Sequence, residues 1–182
     1  AYAYYNVYNG FIANQALGQP LPDGSTRFFL SAVSTEFPID GYGWAFSVDY
    51  KFLEGYDLSG NVSYNTLNSV GSGVPLGFLA GFNSPSYRTN LSLANRNVFK
   101  NIGFSVNWRW QNDFVWESTF GVGEVPAFHT LDAQITYKIT KLKTNLKVGG
   151  SNLLNQYYTT GFGNPQIGGL YYISLTFDEF MN

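Results

Sequence analysis

The chain has 182 residues, a formal net charge of -2, no cysteine, 12% charged residues and 19% aromatic residues. That length holds one domain or a piece of something larger. The missing cysteine excludes disulfides and thiolate metal sites, and near-neutrality leaves no electrostatic case for nucleic acid. The longest weakly apolar run, GVPLGFLAGF at 73 to 82, contains a proline and is far shorter than the roughly 20 residues a membrane helix needs. The opening AYAYYNVYNG has no Met, basic n-region or apolar h-region, so the sequence is expected to be a mature product or a fragment.

Helical periodicity is nearly absent, whereas period-two alternation recurs, which makes the chain all-β. Eight strands are predicted in chain order, at about 1 to 14, 40 to 53, 57 to 68, 86 to 98, 102 to 116, 127 to 139, 142 to 158 and 168 to 178. The first alternates poorly. The second sets Tyr42, Trp44, Phe46, Val48, Tyr50 and Phe52 against Gly43, Ala45, Ser47, Asp49 and Lys51. The third sets Leu58, Gly60, Val62 and Tyr64 against Ser59, Asn61, Ser63 and Asn65, and the fifth sets Ile102, Phe104, Val106, Trp108 and Trp110 against Ser105, Asn107, Arg109 and Gln111. In the sixth, Leu131, Ala133, Ile135, Tyr137 and Ile139 oppose Asp132, Gln134, Thr136 and Lys138. The seventh opposes Leu142, Leu146 and Val148 to Lys143, Asn145 and Lys147, and the last opposes Tyr171, Ile173, Leu175 and Phe177 to Tyr172, Ser174 and Thr176.

Several of these strands exceed ten residues, whereas soluble strands cluster near five or six and tilted transmembrane strands need about nine to eleven. The connections near 53 to 57, 99 to 101 and 140 to 142 are tight. Those at 15 to 39, 69 to 85, 117 to 126 and 159 to 167 are long and rich in Gly, Pro and Ser. Strict alternation of long and short connections is the pattern of an outer-membrane barrel, with short periplasmic turns and long extracellular loops. This orientation puts Trp108, Trp110, Tyr42, Trp44 and Tyr171 toward the outer rim and Tyr50, Phe52 and Phe177 toward the inner one, as two aromatic girdles. The competing reading is a soluble β-sandwich or lipocalin-like barrel whose apolar register points inward. An eight-stranded interior is only just wide enough for side chains, so a lumen lined by the Trp and Phe of these strands would be overpacked, and Gly, Ser and Asn suit it better.

Chemistry-bearing motifs are sparse. The single histidine, His129, can be drawn into a triad with Ser118 and Glu124, but no G-x-S-x-G elbow accompanies it, and it reads as a loop-edge residue. The glycine clusters GSG at 71 to 73 and GFGNPQIGG at 161 to 169 lack the lysine and helix of a phosphate cradle. NVS at 61 and NLS at 90 match the glycosylation pattern, but inside predicted strands. Asp113 and Glu117 fall short of a calcium site. No metal or cofactor is expected. Phe78, Phe82, Phe114, Trp116, Phe120 and Phe162 sit at or above the predicted outer rim, where they either stack on a ligand or close the loops on one another.

Two stretches near the end, VGGSNLLNQYY at 148 to 158 and GNPQIGGLYYISLTF at 163 to 177, resemble the last two barrel strands of TonB-dependent outer-membrane transporters. The closer resemblance is to the SusC-like branch, which imports glycans and oligopeptides. GYGWAFSVDYKFLEGYDLSGNVSYN at 41 to 65, FNSPSYRTNLSLANRNV at 82 to 98, VNWRWQNDFVWES at 106 to 118 and VPAFHTLDAQITYK at 125 to 138 resemble successive earlier strands. The resemblance implies an all-β, antiparallel transmembrane barrel of 22 strands with an N-terminal plug, of which residues 1–182 supply about the last eight strands and not the plug. It implies no enzyme chemistry. The implied partners are the remaining strands and plug of the same transporter, a SusD-like lipoprotein, the TonB complex and the lipid bilayer. Solutes would pass lumen-facing Asn107, Arg109, Asp132, Gln134 and Lys147, under outer-rim aromatics Phe82, Trp116 and Phe162. The family's terminal aromatic, read during barrel assembly, matches Phe177, with Phe180 as a second match. The alternatives are a self-contained eight-stranded outer-membrane barrel of structural, adhesive or hydrolytic function and, third, a soluble ligand-binding barrel.

Overall fold

The computed structural model describes residues 1–68 and 78–178. Its strands in chain order are β1 (Tyr2–Tyr8), β2 (Ile12–Pro20), β3 (Thr26–Ser34), β4 (Ile39–Phe52), β5 (Tyr56–Asn68), β6 (Phe78–Leu79), β7 (Tyr87–Phe99), β8 (Ile102–Gln111), β9 (Phe114–Ser118), β10 (Gly121–Val125), β11 (Phe128–Ile139), β12 (Thr144–Ser151) and β13 (Leu170–Phe177). One antiparallel sheet runs β1-β4-β5-β7-β8-β11-β12-β13. Two smaller sheets, β3-β2-β6 and β9-β10, are built from the long connections. Among the described residues there is no α-helix, and β1 and β13 are not paired with each other.

Three of the predicted strands are cut short, each by a local hydrogen-bonding feature. The strand expected over 1 to 14 stops at Tyr8. Gly10 turns the chain with φ +67, and Phe11 then exchanges hydrogen bonds with Thr35, donating to its Oγ1 at 3.0 Å and accepting from its N–H at 2.8 Å. The chain thus enters a second sheet, and most of the loop expected over 15 to 39 is the β2–β3 hairpin, in register from Ile12↔Ser34 to Pro20↔Thr26. The strand expected over 102 to 116 breaks at Asn112, whose side-chain amide donates to Asp113 O and accepts from Tyr87 N–H, both at 2.7 Å. The strand expected over 142 to 158 ends at Ser151. Asn152 takes φ +51 and bonds Gln156 in both directions, donating to its carbonyl and accepting from its N–H. The GSG cluster at 71 to 73 and Phe180 lie outside the described residues.

Pairing register assigns the faces, because directly opposed residues share one. Trp44↔Tyr64↔Tyr87, Phe46↔Val62, Leu58↔Leu93, Leu91↔Trp108↔Leu131, Phe104↔Ile135↔Val148↔Ile173 and Leu146↔Leu175 line one face. Rings gather at its two ends. Tyr64 contacts Tyr42, Trp44 and Tyr87 at centroid distances of 6.1, 6.3 and 4.7 Å, whereas Phe52 contacts Tyr50 and Tyr56 at 5.9 and 5.3 Å. Nothing in the described chain covers this face: Phe46 is 52% exposed, Ile135 59% and Ile173 74%. Among the described residues the buried apolar side chains are Ala13, Ile39, Pro85 and Val125, none of them in the middle of the large sheet. A soluble sandwich buries its apolar register between two sheets; this sheet leaves it bare.

At the tight-turn end, Lys100 and Asn101 both have positive φ, +37 and +73, which suits a two-residue turn matched to strand twist. Just before it, β7 bulges between Asn95 and Phe99. Asn95 is 2% exposed. Its Nδ2 donates to Glu54 O at 3.2 Å and its Oδ1 accepts from Asn97 N–H at 2.8 Å, so one amide ties the bulge to the neighbouring β4–β5 turn. Gly103 completes the fit, since a Cβ there would meet Arg96 O at 2.7 Å.

Candidate functional site

The other face of the sheet is polar and is the candidate site. The five residues predicted to line a lumen all lie on it. Asn107 opposes Asp132, Gln134 opposes Gly149, Lys147 opposes Thr136 and Ser174, and Arg109 opposes Asn90 and Thr130. Arg109 Nη2 pairs with Asp132 Oδ2 at 3.1 Å, and Asp132 Oδ1 accepts the Asn152 N–H at 2.8 Å. The carboxylate therefore holds both the arginine and the start of the β12–β13 connection. Gln134 accepts from Tyr172 Oη at 2.9 Å and donates to Thr136 Oγ1 at 3.1 Å. Between these strands and β5 lies a groove of about 260 Å³ lined by Ser59, Asn61, Asn90, Ser92, Asn107 and Arg109, with Asp132 at its end. The Asn90 amide donates to Asn61 Oδ1 across it at 3.0 Å. Such a wall, with amides, hydroxyls and one ion pair of which the arginine is half exposed, can hydrogen-bond polar solutes without a fixed net charge.

Sequence reasoning missed the other half of this face. On β1, Tyr2, Tyr4 and Tyr8 oppose Ala45, Gly43 and Ile39 and so share the polar side, which explains why this strand alternates poorly. Tyr4 lies over Gly43, where an added Cβ would meet its Cε1 and Oη at 2.8 Å, and Tyr8 lies near Gly41 at 3.3 Å. The same device recurs at the opposite edge, where Tyr172 Oη comes within 2.8 Å of a Cβ built on Gly149. The signal was in the sequence: Gly41 and Gly43, at period two, leave holes on one face that a bulky neighbour fills. Beyond them Asn65 and Ser63 oppose Gly43 and Ala45. This part of the face is neutral, with phenol rings 39–65% exposed.

The long connections are tied to one another. Asn83 donates to Glu117 O at 2.9 Å and accepts from Glu117 N–H at 2.7 Å, while Glu117 Oε2 accepts from Gly81 N–H at 2.9 Å. Phe162 lies over Gly121 and Gly123 of the β9–β10 hairpin, and Trp116 approaches Gly161, with a Cβ built there 3.1 Å from its Cζ3. β6 adds to β2 at Asn14 and Gln15. Of the predicted outer-rim aromatics, Trp116 and Phe162 thus pack loop on loop. Phe82, 41% exposed, lines a separate recess with Phe114 and Glu117, and Phe120 at the hairpin tip is fully exposed. Phe177 ends β13 on the apolar face opposite Thr144.

The drawn triad is not assembled. Ser118 Oγ donates to Gly121 O at 3.0 Å within its own hairpin, and His129 Nε2 lies 3.3 Å from Gln156 Nε2. Among the described residues no group of three or more His, Cys, Asp or Glu could hold a metal.

No protein-family model matches the chain, and no curated protein matches it in sequence. Solved structures do match by fold. The copper transporter OprC superposes with a TM-score of 0.67 at 14% identity, over 95% of this chain and 27% of that one. The FrpB iron transporter from Neisseria meningitidis gives 0.61 at 15%, over 94% and 27%. The ferric enterobactin receptor PfeA from Pseudomonas aeruginosa gives 0.57 at 13%, over 95% and 28%. These are TonB-dependent outer-membrane receptors, transporters or receptors rather than enzymes. The chain therefore has the fold of part of such a receptor's barrel, and spans about a quarter of the solved chains it matches.

Proposed function

We propose that residues 1–182 form part of the barrel wall of a TonB-dependent outer-membrane transporter, with the apolar face against lipid and the polar face toward the lumen. The observation that carries this reading is the bare apolar register, exposed along strands long enough to cross a bilayer and alternating with a polar register that faces the other way. Only hydrocarbon or another apolar surface can cover so much of it. The two unpaired edges, β1 and β13, require further strands within lipid, because unmade backbone hydrogen bonds are too costly there. The remaining strands and a plug come from the same transporter, which closes a barrel of 22 strands. Residues 1–182 are then its C-terminal part, and Phe177 is the terminal aromatic read during barrel assembly.

The finer reading is import of glycans or oligopeptides in the SusC-like manner, under a SusD-like lipoprotein, by plug rearrangement energised through TonB. The neutral tyrosine and amide surface where β1 meets the first half of β4, with Ser63 and Asn65 of β5, supports it, since flat rings stack on sugar rings and apolar side chains while Asn and Ser bond hydroxyls and amides. Arg109, Asp132, Gln134, Asn107 and Lys147 would form the more polar side of the same passage. No bond in the solute is made or broken.

The test is the intact mass of the polypeptide extracted from its native membrane, followed by uptake assays. A polypeptide several-fold heavier than this chain, with glycan or oligopeptide uptake lost on deleting the TonB system, is the expected result. A polypeptide of this length alone that folds in detergent as a heat-modifiable monomer would leave the self-contained barrel standing instead.

A further inference from the structure

The tight turns carry a surface that transport does not use. Lys138 N–H donates to Asn101 O at 2.9 Å, which sets the β7–β8 turn beside the 3-10 turn Thr140–Leu142 that follows β11. The two turns hold Lys100 and Lys141, and there is no acidic residue between 96 and 101 or between 138 and 143. Among the described residues, acids on flanking elements are Glu54 in the β4–β5 turn, which the Asn95 side chain reaches at its carbonyl, Asp57, paired with Lys51 at 3.5 Å, and Asp178, whose N–H bonds Lys143 O. The long-loop end has the opposite balance, with Asp113, Glu117 and Glu124 on one connection and no basic residue between 112 and 127.

Apolar side chains project among these cations. Phe99 is 61% exposed and Leu142 65% exposed, and Lys100 Nζ sits 5.2 Å from the Phe99 ring centroid. An inorganic anion would satisfy the ammonium groups but leave Phe99 and Leu142 in water. A lipid leaflet satisfies both, since apolar tips sink below the headgroups while lysines reach up to phosphate. We propose that the paired turns around Lys100 and Lys141 form a binding surface for anionic phospholipid headgroups of the leaflet at the tight-turn rim. The inference rests on the membrane reading and goes beyond it, because a barrel wall alone requires no choice of headgroup.

Full-length protein reconstituted in nanodiscs of equal phosphatidylglycerol and phosphatidylcholine, then stripped stepwise with detergent, reports the retained lipid by native mass spectrometry. The expected result is enrichment of phosphatidylglycerol, reduced about fivefold for each cation neutralised in Lys100→Gln and Lys141→Gln, and kept in the double Lys-to-Arg variant. Arg27→Glu, in a strand of the outer hairpin, should change nothing. Equal retention of both lipids by the unaltered protein overturns the inference and leaves the membrane reading intact. Folded protein that stays in the aqueous phase without detergent overturns the membrane reading itself. Loss of enrichment in the Arg variant would also count against the inference, since charge would then not be its cause.

Discussion

The two faces of the large sheet are made by the same strands and differ in how their aromatic side chains are kept. On the apolar face rings gather in clusters at the two ends, around Tyr64 and around Phe52, with Phe46, Trp108 and aliphatic side chains between. On the polar face Tyr4, Tyr8 and Tyr172 each lean over a glycine of the adjacent strand and present one side to water. An aromatic residue is thus not by itself a sign of which way a strand faces. Nor does the opposed residue decide, since Tyr171 on the apolar face also packs over a glycine, Gly150; the register of the whole strand does.

If the apolar face meets lipid, charge must be costly there and tolerated one residue away. Ile135 and Gln134 are neighbours near the middle of β11, on opposite faces. Ile135→Arg in the full-length protein should lower its unfolding free energy in lipid by about 2–4 kcal/mol, measured by urea titration, with Gln134→Arg near zero. Equal costs would break the assignment of the faces. The next largest effect belongs to Asn95, where the faces give way to the turn. Asn95→Ala leaves Glu54 O and Asn97 N–H without their partner at a buried position and should cost about 1–3 kcal/mol in the same assay.

The large sheet was legible because each strand's alternation is long enough to fix its own register, and a one-residue slip would invert both faces. That is why β4, β5, β7 and β11 fall where period two puts them. What the sequence concealed was set by single side chains acting across the chain. Asn112 and Asn152 end strands by folding back on their own backbone, which no hydropathy pattern records. The β2–β3 hairpin was read as loop because its Gly, Pro and Ser content resembles a connection, whereas Thr35 draws Phe11 into pairing from 24 residues away. The five residues predicted to line a lumen could be grouped from alternation alone, but the β1 tyrosines needed the Gly41 and Gly43 pairing that only strand order supplies.

A smaller effect separates the sheet from the connections above it. Asn83→Gly removes the two side-chain hydrogen bonds to Glu117 without straining a residue at φ +46, and should loosen the β9–β10 hairpin by about 1 kcal/mol. Hydrogen exchange checks it. Amides of β9 and β10 should exchange faster, with those of β4 and β5 unchanged. Faster exchange throughout would mean that loops and sheet open as one unit.

The smallest expected effect lies at the tip of the β2–β3 hairpin. Asp23 Oδ1 accepts from Ser25 Oγ at 2.6 Å and from Ser25 N–H at 2.9 Å, and these bonds hold the carboxyl below its ordinary range, the hydroxyl contributing most. Hydrogen bonds to the charged form depress a carboxyl pKa. The contribution to hairpin order is therefore present above the unfolded pKa of about 3.9 and is lost as pH falls through the lower folded value. Ser25→Ala should move the Asp23 titration up toward the ordinary range, read by carboxyl NMR shifts, while the large sheet stays unchanged at every pH. A tip that titrates identically in both proteins would mean that the Ser25 hydroxyl does not hold the carboxylate in solution. The hairpin would then owe its order to the β2–β3 ladder alone.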